Sequence, residues 1–145
     1  MTTAQDFEEN SQAVQAHLNI MQSVISRMAS NSAASKAWCV TLVSAVLVLV
    51  ADKGKPEFAW IAVIPTLLFL ALDAYYLALE KGFRDSYNGF IQKLHAHQLT
   101  AQDLFVVVPE GGLAGLACKA LASFSVWPFY LTLLAMVYAT YRFVI

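Results

Sequence analysis

The stretch FAWIAVIPTLLFLALDAYYLALEKGF, residues 58–83, decides the fold of this chain. Its apolar run is long enough to cross a lipid bilayer, for which about 20 residues are needed. However, Asp73 interrupts the run before the apolar residues end. An aspartate in deep hydrocarbon costs about 2.5–3.5 kcal/mol on insertion scales. Asp73 therefore either marks the edge of the bilayer or is buried against another helix, where ionisable residues usually have a function.

The composition of the whole chain supports a membrane protein. Of its 145 residues, 59% are hydrophobic and 13% are charged, whereas an ordinary soluble domain is about 25% charged. The apolar residues fall into three runs, at residues 37–51, 58–79 and 120–145, and the remaining segments are polar. The net charge of −1 leaves no basic surface for nucleic acid.

The first run predicts a transmembrane helix over residues 33–51. Ala37, Thr41, Ser44 and Val48 share one stripe of this helix. Small and hydroxylated residues in such a stripe favour close helix packing in lipid. They could instead line a narrow polar path, and the sequence leaves both interpretations open.

The second run predicts a transmembrane helix over residues 57–79 that continues as a cytoplasmic helix to about residue 99. Pro65 lies inside the span and is expected to remove one backbone hydrogen bond and kink the helix. Beyond the span, Glu80 and Arg84 are spaced for an i,i+4 ion pair.

The third run predicts a transmembrane helix over residues 121–145, with aromatic residues near both of its ends. Residues 100–120 form a cytoplasmic or interfacial segment before it. In that segment Thr100 and Asp103 have the spacing of a helix start, and residues 109–112, PEGG, are a stop signal.

Residues 3–35 predict a cytoplasmic amphipathic helix, with a capping-box-like start at Thr3 and Asp6. An a/d pattern follows from Phe7 and forms a predicted oligomerisation seam of Val14, Leu18, Met21, Ile25 and Met28. An isolated amphipathic helix is marginal in water, so the seam needs a partner. That partner is either the middle segment of the same chain or the same helix of neighbouring subunits.

The distribution of basic residues predicts the orientation. With three spans and a cytoplasmic N-terminus, six Lys and Arg residues lie on the inner side of the membrane: Arg27, Lys36, Lys81, Arg84, Lys93 and Lys119. Three lie on the outer side: Lys53, Lys55 and Arg142. This agrees with the positive-inside rule. We therefore expect the N-terminus in the cytoplasm and the C-terminus in the periplasm.

The polar residues of the spans are the candidate functional residues. Asp73, Tyr76 and Glu80 share one helical face, because they are three, four and seven positions apart. We expect a pore lining or an inter-subunit polar stripe made of Asp73, Tyr76, Glu80, Arg84, Thr41 and Ser44. No catalytic set, cofactor motif or metal-ligand spacing is present in the sequence, so we expect no enzyme activity, no cofactor and no metal.

Three sequence patterns resemble a known family. They are I-x-R-M-A-x-N-S at residues 25–32, K-x-W-x-V-T-L-V at residues 36–43 and L-D-x-Y-Y-L-x-x-E-x-x-F-R-x-x-Y at residues 72–87. The region of about residues 20–90 resembles the SLATT-like group, the two-helix membrane effectors of bacterial antiphage systems. The resemblance implies membrane disruption or pore formation after a signal, with a defence signalling protein or a nucleotide signal as partner. This chain departs from that group by its third predicted span.

The sequence therefore predicts an all-α membrane protein with an N-terminal amphipathic helix, three transmembrane helices and a cytoplasmic helical segment between the second and the third. Two functions remain open. The first is a homo-oligomeric effector that permeabilises the bacterial inner membrane when it is triggered. The second is a non-conducting membrane anchor or scaffold that recruits a cytoplasmic partner.

Overall fold

The computed structural model describes residues 7–143, and every regular element in that range is helical. The elements are α1 (Gln12–Lys53), a 3₁₀ helix (Pro56–Ala62), α2 (Val63–His95), α3 (Leu113–Leu121) and α4 (Trp127–Phe143). The all-α prediction is confirmed for this part of the chain. The predicted capping box at Thr3 and Asp6 and the last two residues of the predicted third span lie outside the described residues.

The predicted amphipathic helix and the predicted first span are one continuous helix, α1. Its 42 residues include the sequence SNSAASK at positions 30–36 without a break, since no Pro or Gly interrupts it. The helix begins after Ser11, whose backbone is extended, and it ends at Gly54, which adopts the left-handed conformation at φ 59°. The prediction of a helix from residue 3 is therefore wrong for residues 7–11.

The second predicted span begins as a 3₁₀ helix and changes to an α-helix at Val63. Pro65 consequently lies in the first turn of α2 instead of inside it. Backbone N–H groups in a first turn have no intrahelical partner, so a proline there removes no helical hydrogen bond. The prediction that Pro65 lies inside an uninterrupted α-helix is therefore wrong. The helix then continues to His95, slightly short of the predicted end at residue 99.

Helices α1 and α2 form a long antiparallel hairpin. Gln22 contacts Tyr87, and further along the pair Ser32 contacts Asp73. Helix α4 packs against the same end of the hairpin as the 3₁₀ helix. We call this end, residues 37–72 with α4, the apolar end. We call the other end, made of residues 7–35 and 74–121, the polar end.

Each end has its own hydrophobic core. The core of the apolar end joins α1, the 3₁₀ helix and α4 through Cys39, Val43, Leu47, Val50, Ala59, Ala62, Val126, Tyr130, Leu133 and Val137. The core of the polar end is smaller and consists of Val14, Phe90 and Leu94, with Phe7, Leu18, Ile91, Leu99 and Leu104 packed around it. The two cores therefore lie at opposite ends of the hairpin.

The segment between α2 and α3 folds back along α2. Glu110 N–H donates a 2.9 Å hydrogen bond to the carbonyl oxygen of Gly82. A Cβ at Gly82 would stand 2.9 Å from Pro109 Cβ, so only glycine permits this close approach. Thr100 and Asp103 close a turn through two hydrogen bonds. No helix follows that turn, so the helix start predicted there is wrong.

Two helices of the described part of the chain are long and apolar enough to cross a membrane. They are Gln12–Lys53 and the joined 3₁₀ and α2 segment Pro56–His95. Helix α4 has 17 described residues and runs antiparallel to α2, since Tyr130 contacts Phe69 and Tyr141 contacts Trp60. The apolar end is thus a bundle of three segments, in which α1 and α4 both run antiparallel to the second span.

Candidate functional site

Asp73 is fully buried at the junction of the two ends, with 0% of its surface exposed. Ser32 Oγ donates a 2.5 Å hydrogen bond to Asp73 Oδ1. Lys36 Nζ lies 2.6 Å from Asp73 Oδ2, and it also donates to Ser32 Oγ at 3.3 Å. Oδ2 accepts no hydrogen bond of ordinary geometry, so the ammonium charge is what compensates it. We call these three residues the Asp73 cluster.

The local sequence explains how α1 supplies two of the three members. Ser32 and Lys36 are four residues apart, so they lie on one face of α1, one turn from each other. That face is buried, because it continues through Ser35, Cys39 and Val43 into the core of the apolar end. The Lys36 side chain remains 20% exposed, so its stem runs along the helix while its ammonium reaches inward to the carboxylate.

The third helix of the bundle also approaches the Asp73 cluster. The Tyr130 hydroxyl of α4 donates a 3.0 Å hydrogen bond to the carbonyl oxygen of Phe69, one turn before Asp73 on α2. The Asp73 cluster therefore joins α1 and α2, and α4 contacts α2 one turn away from it.

The Asp73 cluster lies at one edge of a band without charged residues. No Asp, Glu, Lys or Arg occurs between Lys36 and Asp52 on α1, or between Glu57 and Asp73 on the second span. At 1.5 Å per residue, the 16 steps from Lys36 to Asp52 rise about 24 Å, somewhat less than a bilayer's hydrocarbon core, which is about 30 Å thick. Both alternatives that the sequence left open for Asp73 therefore apply. Its side chain is buried, and it lies at the edge of the uncharged band.

Exposed aromatic residues mark both edges of this band. Trp38 (62% exposed), Tyr75 (48%) and Trp127 (47%) lie at the edge next to the Asp73 cluster. Trp60 and Tyr141 lie at the opposite edge, where their ring centroids are 5.5 Å apart. Trp and Tyr are enriched at both interfaces of membrane proteins, so the band has the pattern of a lipid-facing surface.

The remaining members of the predicted polar stripe have different surroundings. Tyr76 is half-buried, and Glu80 is held by Arg84, whose Nε donates a 2.8 Å hydrogen bond to Glu80 Oε1. The predicted i,i+4 pair is therefore present. Thr41 and Ser44 are exposed on the outer face of α1, and the Thr41 hydroxyl donates to the carbonyl of Ala37. Within one chain, the structure does not bring Thr41 or Ser44 together with Asp73.

The predicted oligomerisation seam packs inside the chain in this structure. Val14 and Met21 are buried, while Leu18, Ile25 and Met28 are half-buried. Val14 belongs to one core with Phe90 and Leu94 of α2. Of the two partners left open by the sequence, the structure supplies the middle segment of the same chain.

Sequence reasoning missed His17, the second buried ionisable residue. His17 is 1% exposed, and its ring lies 4.2 Å from that of Phe90. Its Nδ1 accepts a 2.9 Å hydrogen bond from the backbone N–H of Phe105, which fixes the segment after α2 against α1. The signal was available, because His17 is three residues after Val14 and four before Met21, and therefore lies on the seam face.

The environment of His17 keeps the ring neutral. Burial lowers the pKa of His17 below its ordinary value, and the nearby carboxylate of Asp103 opposes this only in part. A neutral imidazole whose Nδ1 accepts a hydrogen bond carries its proton on Nε2. The ring is therefore an acceptor toward Phe105 and a donor at its other nitrogen.

The described residues contain no group of three or more His, Cys, Asp or Glu side chains that could hold a metal ion. Within residues 7–143, the Asp73 cluster and the surroundings of His17 are the two candidate sites. No protein-family model, curated protein or solved structure matches this chain.

Proposed function

We propose that this protein is a homo-oligomeric effector of a bacterial antiphage defence system that lies in the inner membrane and permeabilises it when triggered. The observation that carries the proposal is the uncharged band of the apolar end, closed at one edge by the buried Asp73–Lys36 pair. The resemblance of residues 20–90 to the SLATT-like group supports the defence context.

The exposure of the two long helices supports a location in lipid. In the most apolar 18-residue window of each helix, only 28% of the residues are buried. A core helix of a soluble protein would be mostly buried, whereas these apolar faces have no protein cover within the chain. Lipid covers such a surface without leaving apolar area exposed to water.

The distribution of basic residues favours a cytoplasmic N-terminus. With the N-terminus in the cytoplasm, the polar end faces the cytoplasm, and the Asp73 cluster lies at the inner edge of the bilayer. Helix α4 then crosses as a third span, since residues 120–141 carry no charge, and the C-terminus lies in the periplasm.

The Asp73 cluster is the element that the trigger would act on. Removing one partner of a buried ion pair typically destabilises a protein by about 3–5 kcal/mol, because the other charge remains uncompensated. The closed pair therefore defines a resting state that a modest energy input can open. Once α1 and α2 separate here, the stripe of Asp73, Tyr76 and Glu80 faces neighbouring subunits and admits water and ions.

Two substitutions in this pair test the mechanism in opposite directions. Asp73→Asn keeps the side-chain volume and the hydrogen bond to Ser32 but removes the charge that the open state needs, so we expect loss of toxicity and of leakage. Lys36→Gln leaves the carboxylate unpaired, so we expect leakage without a trigger. The measurements are growth and dye uptake after overproduction, and dye release from vesicles of phosphatidylethanolamine and phosphatidylglycerol that contain the purified protein.

The matched control is Lys53→Gln, at the opposite edge of the band, where the lysine side chain is 72% exposed and pairs only with the exposed Asp52. This variant should behave as wild type. The double variant Lys36→Gln/Asp73→Asn should be inactive, because the unpaired carboxylate is gone. If both single variants leak as wild type does at equal protein levels, the ion-pair mechanism is wrong.

A second function is favoured by the surface of the polar end. Phe105, Val106 and Val108 are 58%, 55% and 59% exposed. They lie next to Phe90, and from Asp73 to Phe90 helix α2 rises about 26 Å, which places them well outside the uncharged band. A non-conducting anchor that recruits a cytoplasmic partner would use such a surface. It predicts no vesicle leakage under any condition, so the same leakage assay separates the two functions.

A further inference from the structure

We propose that the cavity at the polar end binds an uncharged, ring-bearing small molecule whose carbonyl oxygen accepts a hydrogen bond from His17 Nε2. The proposal concerns the polar end alone. It stands whether the apolar end conducts ions or only anchors the chain.

The cavity has a volume of about 390 Å³ and lies between α1, α2 and the segment that follows α2. This is within the size range of small-molecule sites, roughly 300–1,000 Å³. Its apolar walls come from all three elements, namely Met21, Phe90, Val106, Val108 and Pro109. Walls of this kind fit a flat or compact apolar body.

His17 supplies the polar group that fixes the orientation of the ligand. Its ring is almost completely buried and also lines the cavity. Nδ1 is occupied by the N–H of Phe105, so the remaining proton of the neutral ring is on Nε2. Among the described residues, Nε2 has no hydrogen-bond partner. The N–H of this ring, which lines the cavity, is therefore available to an acceptor that a ligand brings.

The charges of the cavity exclude anionic ligands. Lys93 Nζ lies 2.8 Å from Asp103 Oδ1, so the lysine is already neutralised by the chain itself. The carboxylate of Glu110 lies over α2, 3.5 Å from where a Cβ on Gly89 would stand. These three charges sum to −1, and His17 is neutral. A phosphate or carboxylate group would meet repulsion here, whereas an amide or ketone would not.

A ligand at this position would bridge the three elements of the polar end. The segment after α2 is held at Phe105 by His17 and at Asp103 by Lys93. An occupant that bonds to His17 and packs against Val106 and Val108 would add contacts between the same segment and the helical hairpin. Binding is therefore expected to reduce the opening of this segment, which hydrogen exchange measures.

The test uses the full chain in mild detergent at neutral pH and three probes of similar shape. Benzamide has a ring and an uncharged carbonyl acceptor, benzoate has the same shape with a negative charge, and ethylbenzene has no acceptor. We expect benzamide to shift the NMR signals of the His17 ring and to bind about tenfold more tightly than either of the other probes.

Two exposed apolar positions provide the variants. Val108→Trp places an indole in the cavity without touching the hydrogen bond between His17 and Phe105, so benzamide affinity should fall about tenfold or more. Ile20→Trp is the control, since Ile20 is 42% exposed on α1 and does not line the cavity. It should bind benzamide as wild type does.

Three results would overturn the proposal. The first is no change of the His17 signals at any benzamide concentration that dissolves. The second is equal binding by the Val108→Trp and Ile20→Trp variants. The third is equal or tighter binding of benzoate, which contradicts the charge argument. None of these outcomes bears on vesicle leakage, so failure here is distinct from failure of the proposed function.

Discussion

The junction between the two ends buries Asp73 and the polar end buries His17, and the two places compensate the buried group by different means. At the junction, the charged Asp73 is matched by the Lys36 ammonium at 2.6 Å and by the Ser32 hydroxyl. At the polar end, His17 is neutral and is held by a backbone N–H and an aromatic ring. A buried charge requires a counter-charge, whereas a buried neutral ring requires only hydrogen bonds. The two places should therefore respond to different perturbations.

The largest effect on stability is expected at the ion pair. Lys36→Met should lower the free energy of unfolding by about 3–5 kcal/mol, because Asp73 is left buried and unpaired. Adding Asp73→Asn to that variant should restore much of the loss, since the uncompensated charge is then removed. Denaturant unfolding in detergent measures both. Equal destabilisation of the single and the double variant would show that Lys36 acts by packing alone.

Gly82 on α2 and Gly115 on α3 are expected to respond in opposite ways to substitution by alanine. Gly82→Ala should push the segment 109–112 off α2 and cost about 1–3 kcal/mol, because the new Cβ would stand 2.9 Å from Pro109 Cβ. Gly115→Ala meets nothing within 4 Å and lies inside α3. It should stabilise α3 by about 0.5–1 kcal/mol. Hydrogen exchange of residues 109–121 distinguishes the two variants. If these residues are as protected in Gly82→Ala as in the wild type, the close approach at Gly82 is contradicted.

Acidification should weaken the contact between His17 and the segment after α2. Because the pKa of His17 is lowered in the folded state, the unfolded chain binds the proton more readily. The stabilising contribution is complete above the ordinary value near 6.5 and is lost as the pH falls below it. Exchange of the Phe105 amide should therefore accelerate on acidification, relative to its intrinsic rate.

Asp103 acts at lower pH on the same segment. Hydrogen bonds from Lys93 and Thr100 lower the pKa of Asp103 to about 2. Its contribution is therefore present above the ordinary value of 3.8 and is lost as the pH falls toward about 2. If the first loss of protection appears only between pH 3.8 and about 2, with no change just below pH 6.5, the effect belongs to Asp103 instead of His17.

The smallest effect is expected at the outer face of α1. Thr41→Ala and Ser44→Ala change exposed positions, and Thr41 bonds only to its own helix at Ala37. Both should change the unfolding free energy of the single chain by less than about 0.5 kcal/mol. A larger change in the assembled form would locate a subunit interface on this stripe, so particle size in detergent should be measured with each variant.

Local signals in the sequence predicted much of the helical layout. The Gly54–Pro56 turn ends α1, and the glycines before Leu113 precede α3, as their conformational preferences dictate. The i,i+4 spacing also predicted the Glu80–Arg84 pair. By contrast, the helix start predicted at Thr100 and Asp103 is only a turn, because the positive φ of Phe105 ends the helical path at once.

The sequence by itself determined the apolar runs, the uncharged band and the importance of Asp73, because hydrophobicity and spacing are properties of the chain alone. Only the tertiary structure decided what Asp73 faces. Ser32 and Lys36 are about 40 residues away along the chain, and the register of the α1–α2 hairpin brings them together. The same register buries His17 against Phe90. Register depends on how whole helix faces interlock, so no local pattern specifies it.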